Sequence, residues 1–295
     1  MAATISNLVL EGGGVKAIAY AGAIEALESR GLMAGVRGVA GTSAGALTAM
    51  MLSLGADSTA IKQFIRGTDF KGLEDHFDPL RLATRYGLYA GGKLLDWITG
   101  GIESRGHDPA MTFRHRERLA GRDLRVYATD LTTRDAREFS FRATPRARVA
   151  GAVRASMSIP LMFAAWQFAD GEPDDHVYID GGAVLNYPID AFDAADAIDP
   201  GTLGLRLYSG AAKPPPGPGF DHPLGYARAL FECLLGAQSI DVLHAPAQLA
   251  RTVQIEDYGL SATDFNLTDA DYERLFQSGR SATLAYLDAA HGASA

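Results

Sequence analysis

The amino-acid sequence predicts an α/β protein, a three-layer α/β/α sandwich around a mostly parallel sheet. Short apolar segments alternate with segments of helical periodicity, and glycines stand at the turns between them. Of the 295 residues, 47% are hydrophobic, which is enough for a large buried core. Because parallel strands are joined by helical crossovers, this alternation is typical of a parallel sheet covered by helices.

The first predicted unit is a strand, a turn and a helix. An apolar, β-branched run at residues 5–10 predicts the strand, and glycines 12–14 form the turn. Apolar residues at spacings of four and three, Tyr20, Ile24 and Leu27, indicate the helix. Gly31 is expected to end it.

The second unit repeats this order. A strand over residues 36–40 runs into G-T-S-A-G at 41–45, and a helix over 46–54 is closed by Gly55. Further strands are predicted at 124–131, 138–141, 177–179 and 204–208, with a helix at 148–157.

The remaining segments are assigned to one domain over residues 1–295. Residues 67–101 mix aromatic residues with glycines and charges, which predicts an irregular insertion packed over the sheet. K-P-P-P-G-P-G at 213–219 predicts a surface loop or flap. Thr268 followed by Asp271 predicts a capping box at the start of the last helix.

Charge and composition exclude several classes of protein. The formal net charge of −8 argues against nucleic-acid binding, which requires a basic surface. The apolar runs are too short to span a bilayer, and residues 1–14 lack a basic region before an apolar one, so no secretory signal is expected. We therefore expect a cytoplasmic protein, although an effector exported by another route would look the same. The single cysteine, Cys233, excludes an internal disulfide and is expected to be buried on a helix.

G-T-S-A-G between a strand and a helix is typical of a nucleophile elbow. Ser43 on such a sharp turn would expose its hydroxyl at the start of a helix, where the helix dipole favours developing negative charge. Gly41 and Gly45 would let the strand and helix approach closely. The alternative is a tight packing turn without catalytic function.

The glycine-rich turn allows two interpretations. Gly12, Gly13 and Gly14 fit the dinucleotide fingerprint, which would make the protein an oxidoreductase, but the second strand lacks the acidic residue that binds the ribose. The favoured interpretation is an oxyanion hole formed by the N–H groups of Gly13 and Gly14, together with that of Ala44. A structural turn remains an alternative.

Three further motifs follow in order. R-A-S-M-S-I-P-L-M-F stands at 154–163, Y-I-D-G-G contains Asp180 with Gly181 and Gly182, and N-Y-P stands at 186–188. With the glycine turn and the elbow, they make the chain from about residue 8 to residue 188 resemble the patatin-like phospholipases, which share a fold with malonyl-transferase-like enzymes.

The resemblance implies a lipid acyl hydrolase with a Ser–Asp dyad. By motif, Ser43 is the nucleophile, Asp180 is the base, and Gly12, Gly13 and Gly14 belong to the oxyanion loop. The substrate is expected to be a phospholipid, a lysophospholipid or another acyl ester, and no metal or organic cofactor is implied. A lipid-binding scaffold that has lost turnover is the non-enzyme alternative.

Two features bear on these expectations. Seven histidines are present, and a Ser–Asp–His order could recruit a late one, although none stands in a catalytic motif. The segment from Arg114 to Arg154 contains eleven arginines and only five acidic residues. This excess predicts peripheral contact with anionic membranes, with ordinary surface ion pairs as the alternative.

Overall fold

The computed structural model describes residues 4–119, 121–210, 223–243 and 245–292. The strands in these ranges are β1 (Asn7–Leu10), β2 (Gly38–Thr42), β3 (Gly87–Tyr89), β4 (Asp123–Asp130), β5 (Asp135–Ser140), β6 (Leu161–Phe163), β7 (Tyr178–Ile179), β8 (Thr202–Tyr208) and β9 (Thr252–Glu256). The helices are α1 (Ile18–Ser29), α2 (Ala44–Ser53), α3 (Ser58–Arg66), α4 (Arg81–Arg85), α5 (Gly92–Glu103), α6 (Phe113–Glu117), α7 (Val149–Ser156), α8 (Pro223–Leu243), α9 (Pro246–Ala250) and α10 (Asp269–Gly292).

The main sheet confirms the predicted fold class. Its strand order is β5-β4-β2-β1-β8-β9, and β7 pairs with β4 beside this path. The five strands β4, β2, β1, β8 and β9 run parallel, whereas β5 and β7 are antiparallel to β4. Since β1, β2 and β4 end on the same side, they define one edge of the sheet, which we call the carboxyl edge.

Side chains alternate between two apolar clusters along the strands. Leu8, Leu10 and Val39 belong to the larger cluster, with helices α1, α2, α5, α7 and α10. Val9 and Ala40 point to the opposite face, which, in the part of the chain that is described, is covered by the segment 185–192. Strands β1 and β2 are therefore buried on both faces, as their apolar sequences predict.

The segment 67–101 is more regular than predicted. It contains a short 3₁₀ turn (Lys71–Leu73), α4, β3 and most of α5, and β3 pairs in parallel with β6 in a second small sheet. Its aromatic side chains pack together: Trp97 stacks on Phe64 with ring centroids 5.2 Å apart and meets Phe70 edge-on at 5.5 Å. Long-range ring contacts, which sequence periodicity does not reveal, organise this segment.

The C-terminal third brings further corrections. The bounds of helix α8 and the strand β9 were not predicted, and Cys233 lies on a helix as expected but is exposed instead of buried. The capping box is confirmed, because the Asp271 N–H donates to Thr268 Oγ1 at 3.2 Å and the Thr268 N–H to Asp271 Oδ2 at 2.9 Å. The predicted loop at 213–219 lies outside the described residues. Within the described ranges, no helix is long and apolar enough to cross a membrane.

Candidate active site

Ser43 lies between β2 and α2 in a conformation that side-chain-bearing residues rarely adopt. Its φ is 52° and its ψ is −124°, a strained geometry held by the packing around it. A Cβ on Gly41 would lie 2.4 Å from the backbone of Gly45, and one on Gly45 would lie 2.4 Å from the carbonyl oxygen of Leu10. Both glycines are therefore needed for the helix to begin so close to the strands, as the sequence predicts.

The Ser43 hydroxyl donates a hydrogen bond to a buried carboxylate. Its Oγ lies 2.7 Å from Oδ2 of Asp180, a residue with no solvent-exposed surface. Asp180 reaches this position because β7 pairs with the end of β4, with Ile179 opposite Thr129. Strand pairing therefore brings together two residues that are 137 positions apart in the chain.

Burial changes the acidity of Asp180. Removal from water raises its pKa to about 7, although hydrogen bonds from the Gly182 N–H and the Ser43 hydroxyl lower it. The Gly182 N–H donates to Oδ1 at 2.8 Å, which leaves Oδ2 for Ser43. A carboxylate with such a pKa can accept a proton near neutral pH, as general bases do.

The motif at 154–158 supports both residues, a role that sequence reasoning missed. The Ser43 N–H donates to Ser156 Oγ at 2.7 Å, and the Asp180 N–H donates to the Ser158 carbonyl at 2.8 Å. Arg154 is buried and donates to Ser158 Oγ at 2.5 Å and to the Gly91 carbonyl at 3.1 Å. The motif thus ties Ser43 and Asp180 to one helix end. The two serines of the motif, Ser156 and Ser158, were the feature of the sequence that could have indicated this role.

The glycine-rich turn lies beside Ser43, and Asn186 of the N-Y-P motif holds it. The Gly12 N–H donates to the Asn186 carbonyl at 3.0 Å, and Asn186 Nδ2 donates to the Gly12 carbonyl at 3.2 Å. Among the described residues, no backbone acceptor is recorded for the N–H groups of Gly13 and Gly14. Gly14 has φ 55°, and a Cβ there would lie 1.9 Å from the Ala262 carbonyl oxygen. Gly13 and Gly14, but not Gly12, therefore retain N–H groups for a ligand.

Two spaces adjoin Ser43. A small cavity at Ser43 and Asp180 is bounded by the glycine turn and by Phe231 and Leu235 of α8. An apolar cleft of about 540 Å³, counted with its opening to solvent, extends from Ser43 between aromatic and aliphatic side chains. Its larger lining residues are Leu47, Ile65, Phe70, Leu73, Leu94, Trp97, Phe163 and Phe265.

His176 is separate from this site. Its Nδ1 lies 2.6 Å from Asp130 Oδ2, and the hydrogen bond to Asp130 raises the pKa of the imidazole. Three later histidines, His222, His244 and His291, could complete a Ser–Asp–His order by sequence, and the first two lie outside the described residues. In the part of the chain that is described, the recorded partner of the Ser43 hydroxyl is Asp180.

Comparison with known proteins identifies the family of the chain. Residues 8–193 match the family model described as patatin-like phospholipase. The chain belongs to the patatin-like phospholipase family. Uncharacterized protein YqhO of Bacillus subtilis is 30% identical over 298 residues, which cover 95% of this chain and 97% of YqhO. The resemblance seen in the sequence is therefore confirmed, and membership of this family implies a lipid hydrolase activity.

Two more distant relatives extend the comparison. Probable lipid hydrolase 463L of Invertebrate iridescent virus 6 is 25% identical over 188 residues, or 62% of each chain. The crystal structure of VipD from Legionella pneumophila superimposes with a TM-score of 0.66 at 20% identity, covering 97% of this chain and 67% of VipD. The similarity to VipD shows that nearly the whole chain adopts this fold.

Proposed function

We propose that this protein hydrolyses carboxylic ester bonds of phospholipids or lysophospholipids through an acyl intermediate on Ser43. The observation that carries the proposal is the 2.7 Å hydrogen bond from the Ser43 hydroxyl to the buried Asp180. A serine hydroxyl is a weak nucleophile, and an adjacent base activates it by accepting its proton. The raised pKa of Asp180, about 7, suits this task.

The reaction would take two steps. As Asp180 accepts the Ser43 proton, Oγ forms a bond to the ester carbonyl carbon, and the tetrahedral intermediate expels the alcohol, which takes the proton from Asp180. Water then attacks the acyl-serine, passing a proton to Asp180, and the carboxylic acid leaves as Ser43 Oγ regains a proton. The dyad is unchanged after each cycle.

The oxyanion would be held by the N–H groups of Gly13, Gly14 and Ala44. Ala44 is the first residue of α2, so its N–H needs no partner within the helix. Gly12 would contribute differently, since its N–H is already given to Asn186 and its missing Cβ leaves room for Asn186 Oδ1. Gly181 and Gly182 would shape the base loop, where a Cβ on Gly181 would lie 2.5 Å from the Tyr127 carbonyl oxygen.

The apolar cleft supports an acyl chain as the group transferred to Ser43. Its walls are almost entirely hydrocarbon and aromatic, and they begin at the nucleophile itself. Burying a methylene in such a cleft contributes about 0.8 kcal/mol. An insoluble substrate also requires peripheral contact with a membrane, for which Leu230 and Leu234 on α8 offer exposed apolar side chains near Ser43.

A fluorophosphonate probe tests the nucleophile directly. Wild type should be labelled, Ser43→Ala should not, and the exposed Ser104→Ala should behave as wild type. Equal labelling of wild type and Ser43→Ala would contradict the assignment. Product analysis on a panel of phospholipid, lysophospholipid and triglyceride then identifies the ester. A folded wild type that neither reacts with the probe nor hydrolyses any of them would be a lipid-binding scaffold.

A further inference from the structure

A second cleft, whose lining is more polar than that of the acyl cleft, also adjoins the cavity at Ser43, and we call it the polar cleft. It shares Gly12, Asn186, Leu235 and Ala262 with that cavity, whereas the apolar cleft shares Gly14, Ser43, Ile159 and Ala262 with it. The polar cleft has an empty space of about 1120 Å³, counted with its opening to solvent. The cavity at the reacting serine therefore adjoins both an apolar cleft and a more polar one.

The charges at the base of the polar cleft are paired. Lys16 Nζ lies 2.5 Å from Asp257 Oδ2, and Arg206 Nε lies 3.6 Å from Glu11 Oε1. All four side chains are almost completely buried, with at most 12% of any one exposed. These two pairs contribute little net charge where a ligand would bind.

Glu232 differs from these four residues. It is exposed on α8 at the wall of the cleft, and it accepts hydrogen bonds from Thr263 Oγ1 at 3.2 Å and from the Ser261 hydroxyl. These partners are neutral, and among the described residues no ion pair with Glu232 is recorded. Among the described residues that line the polar cleft, the accessible charge is therefore negative.

Helix α8 holds Glu232 in place over the site. Arg228 Nη2 lies 2.7 Å from Glu74 Oε1 on one side of Glu232 along the helix. On the other side, Gln238 accepts from the Asn186 N–H at 2.7 Å and donates to the Gly182 carbonyl at 2.6 Å. These contacts fix the carboxylate relative to the two loops that flank Ser43.

We infer that the polar cleft binds the alcohol part of the ester and that Glu232 makes it select head groups carrying an ammonium or quaternary ammonium cation. The inference rests on the proposed function, because it takes Ser43 as the point of cleavage. The acyl chain lies on one side of the ester bond and the head group on the other, and the two clefts match this division. Attraction between a cation and an exposed carboxylate is modest, worth up to about fivefold in affinity.

The test compares two lysophospholipids with the same acyl chain, one with a phosphocholine head group and one with phosphoglycerol. The readout is the ratio of their kcat/KM values at pH 8, where Glu11, whose pKa is raised by burial to about 7, is ionised. We expect wild type to favour phosphocholine by about fivefold. Glu232→Gln should bring the ratio close to one, Glu232→Lys should reverse it, and Glu232→Asp should retain it.

Glu117→Gln is the matched control. Glu117 is exposed on α6, beside Arg116, which donates to the Ser53 carbonyl at the end of α2 remote from Ser43. This variant removes the same charge and should keep the wild-type ratio. A wild-type ratio near one, or a preference that survives in Glu232→Gln and Glu232→Lys, would overturn the inference. Failure of wild type on both lipids and on a soluble short-chain ester of a neutral alcohol would instead reject the proposed function.

Discussion

At the scale of single residues, the activity should follow the ionisation of Asp180. Only the ionised carboxylate can accept the Ser43 proton, and burial raises its pKa to about 7. We therefore expect kcat/KM on a soluble short-chain ester to rise with pH through an apparent pKa near 7 and then to level off. A flat profile between pH 5 and pH 9 would contradict Asp180 as the base.

Glu11 requires a control, because burial also raises its pKa to about 7. In Glu11→Gln this second titration is removed, so an inflection that persists belongs to Asp180. If the inflection disappears in Glu11→Gln while kcat stays high above and below pH 7, the titrating group is Glu11.

The same shift predicts that Asp180→Asn stabilises the protein while abolishing turnover. The unfolded chain releases this proton near its ordinary value of 3.8, whereas the folded chain keeps it until about pH 7. The native state is therefore destabilised progressively between these values, by roughly 2–4 kcal/mol at pH 8. Urea unfolding should find Asp180→Asn more stable than wild type at pH 8 by an amount that shrinks towards pH 4. A variant less stable at both pH values would refute this.

At the scale of secondary-structure elements, local patterns predicted the units that surround Ser43. The strand–turn–helix order around Gly12 and Ser43 follows from residues adjacent in sequence. The extent of helix α8 was not predicted, because the helix is apolar on two sides: Phe231 and Leu235 face the site, while Leu230 and Leu234 are exposed. One-sided periodicity, the usual indication of a surface helix, is therefore absent.

The remaining parts of the site depend on contacts between distant segments. The Ser156 hydroxyl accepts a hydrogen bond from the Ser43 N–H, and the Asn186 side chain donates one to the Gly12 carbonyl. Nothing in the local sequence of either motif indicates which backbone group its side chain will bind. The end of β2 was also misplaced, because Thr42 extends the strand by pairing with Tyr127 of β4. Register of this kind arises only when the sheet assembles.

Packing between α1 and α10 gives an element-scale prediction. A Cβ on Gly22 would lie 1.9 Å from the Phe276 carbonyl oxygen, so the two helix backbones are in direct contact there. Gly22→Ala should force them apart and destabilise the protein by about 1–3 kcal/mol. Gly100→Ala is the matched control, since a Cβ on that helical glycine meets nothing within 4 Å. It should stabilise by about 0.4–1 kcal/mol in urea unfolding. Equal effects of the two substitutions would show that the helices separate freely.

At the scale of the whole molecule, the arginine excess lies away from the carboxyl edge, except for Arg134 in the turn between β4 and β5. Arg116 and Arg154 are buried and bind carbonyl groups. The exposed members of the set are Arg114, Arg118, Arg134, Arg142, Arg146 and Arg148. Strand β5 runs antiparallel to β4, so residues 142–148 follow the strand end remote from Ser43. This placement argues against Arg142, Arg146 and Arg148 as the surface that brings lipid to the nucleophile.

A lipid ester can pass directly from the bilayer to Ser43 only if the carboxyl edge faces the membrane. Leu230 and Leu234 are 43% and 37% exposed on the helix whose Phe231 and Leu235 bound the cavity at Ser43. Arg148 immediately precedes α7, and Ser156 at the other end of this helix accepts a hydrogen bond from the Ser43 N–H. The eight residues of α7 therefore place Arg148 about 12 Å from the end of the helix at Ser43. That exceeds the screening distance of about 8–10 Å at ordinary salt.

Vesicle binding should therefore depend more on two leucines than on three arginines. Replacing Leu230 and Leu234 together by Asn should weaken binding to vesicles containing anionic lipid by about tenfold, because each leucine loses part of the ~1.5–3 kcal/mol of its burial. Replacing Arg142, Arg146 and Arg148 together by Gln should change binding less than about twofold at 0.15 M salt, where charges beyond the Debye length are screened. Ile198→Asn, which removes a side chain 50% exposed just before β8 at the opposite edge, is the matched apolar control and should bind as wild type. Sedimentation with vesicles measures all three. If the arginine variant loses binding and the leucine variant keeps it, the molecule meets the membrane by the other edge, and substrate must leave the bilayer before it reaches Ser43.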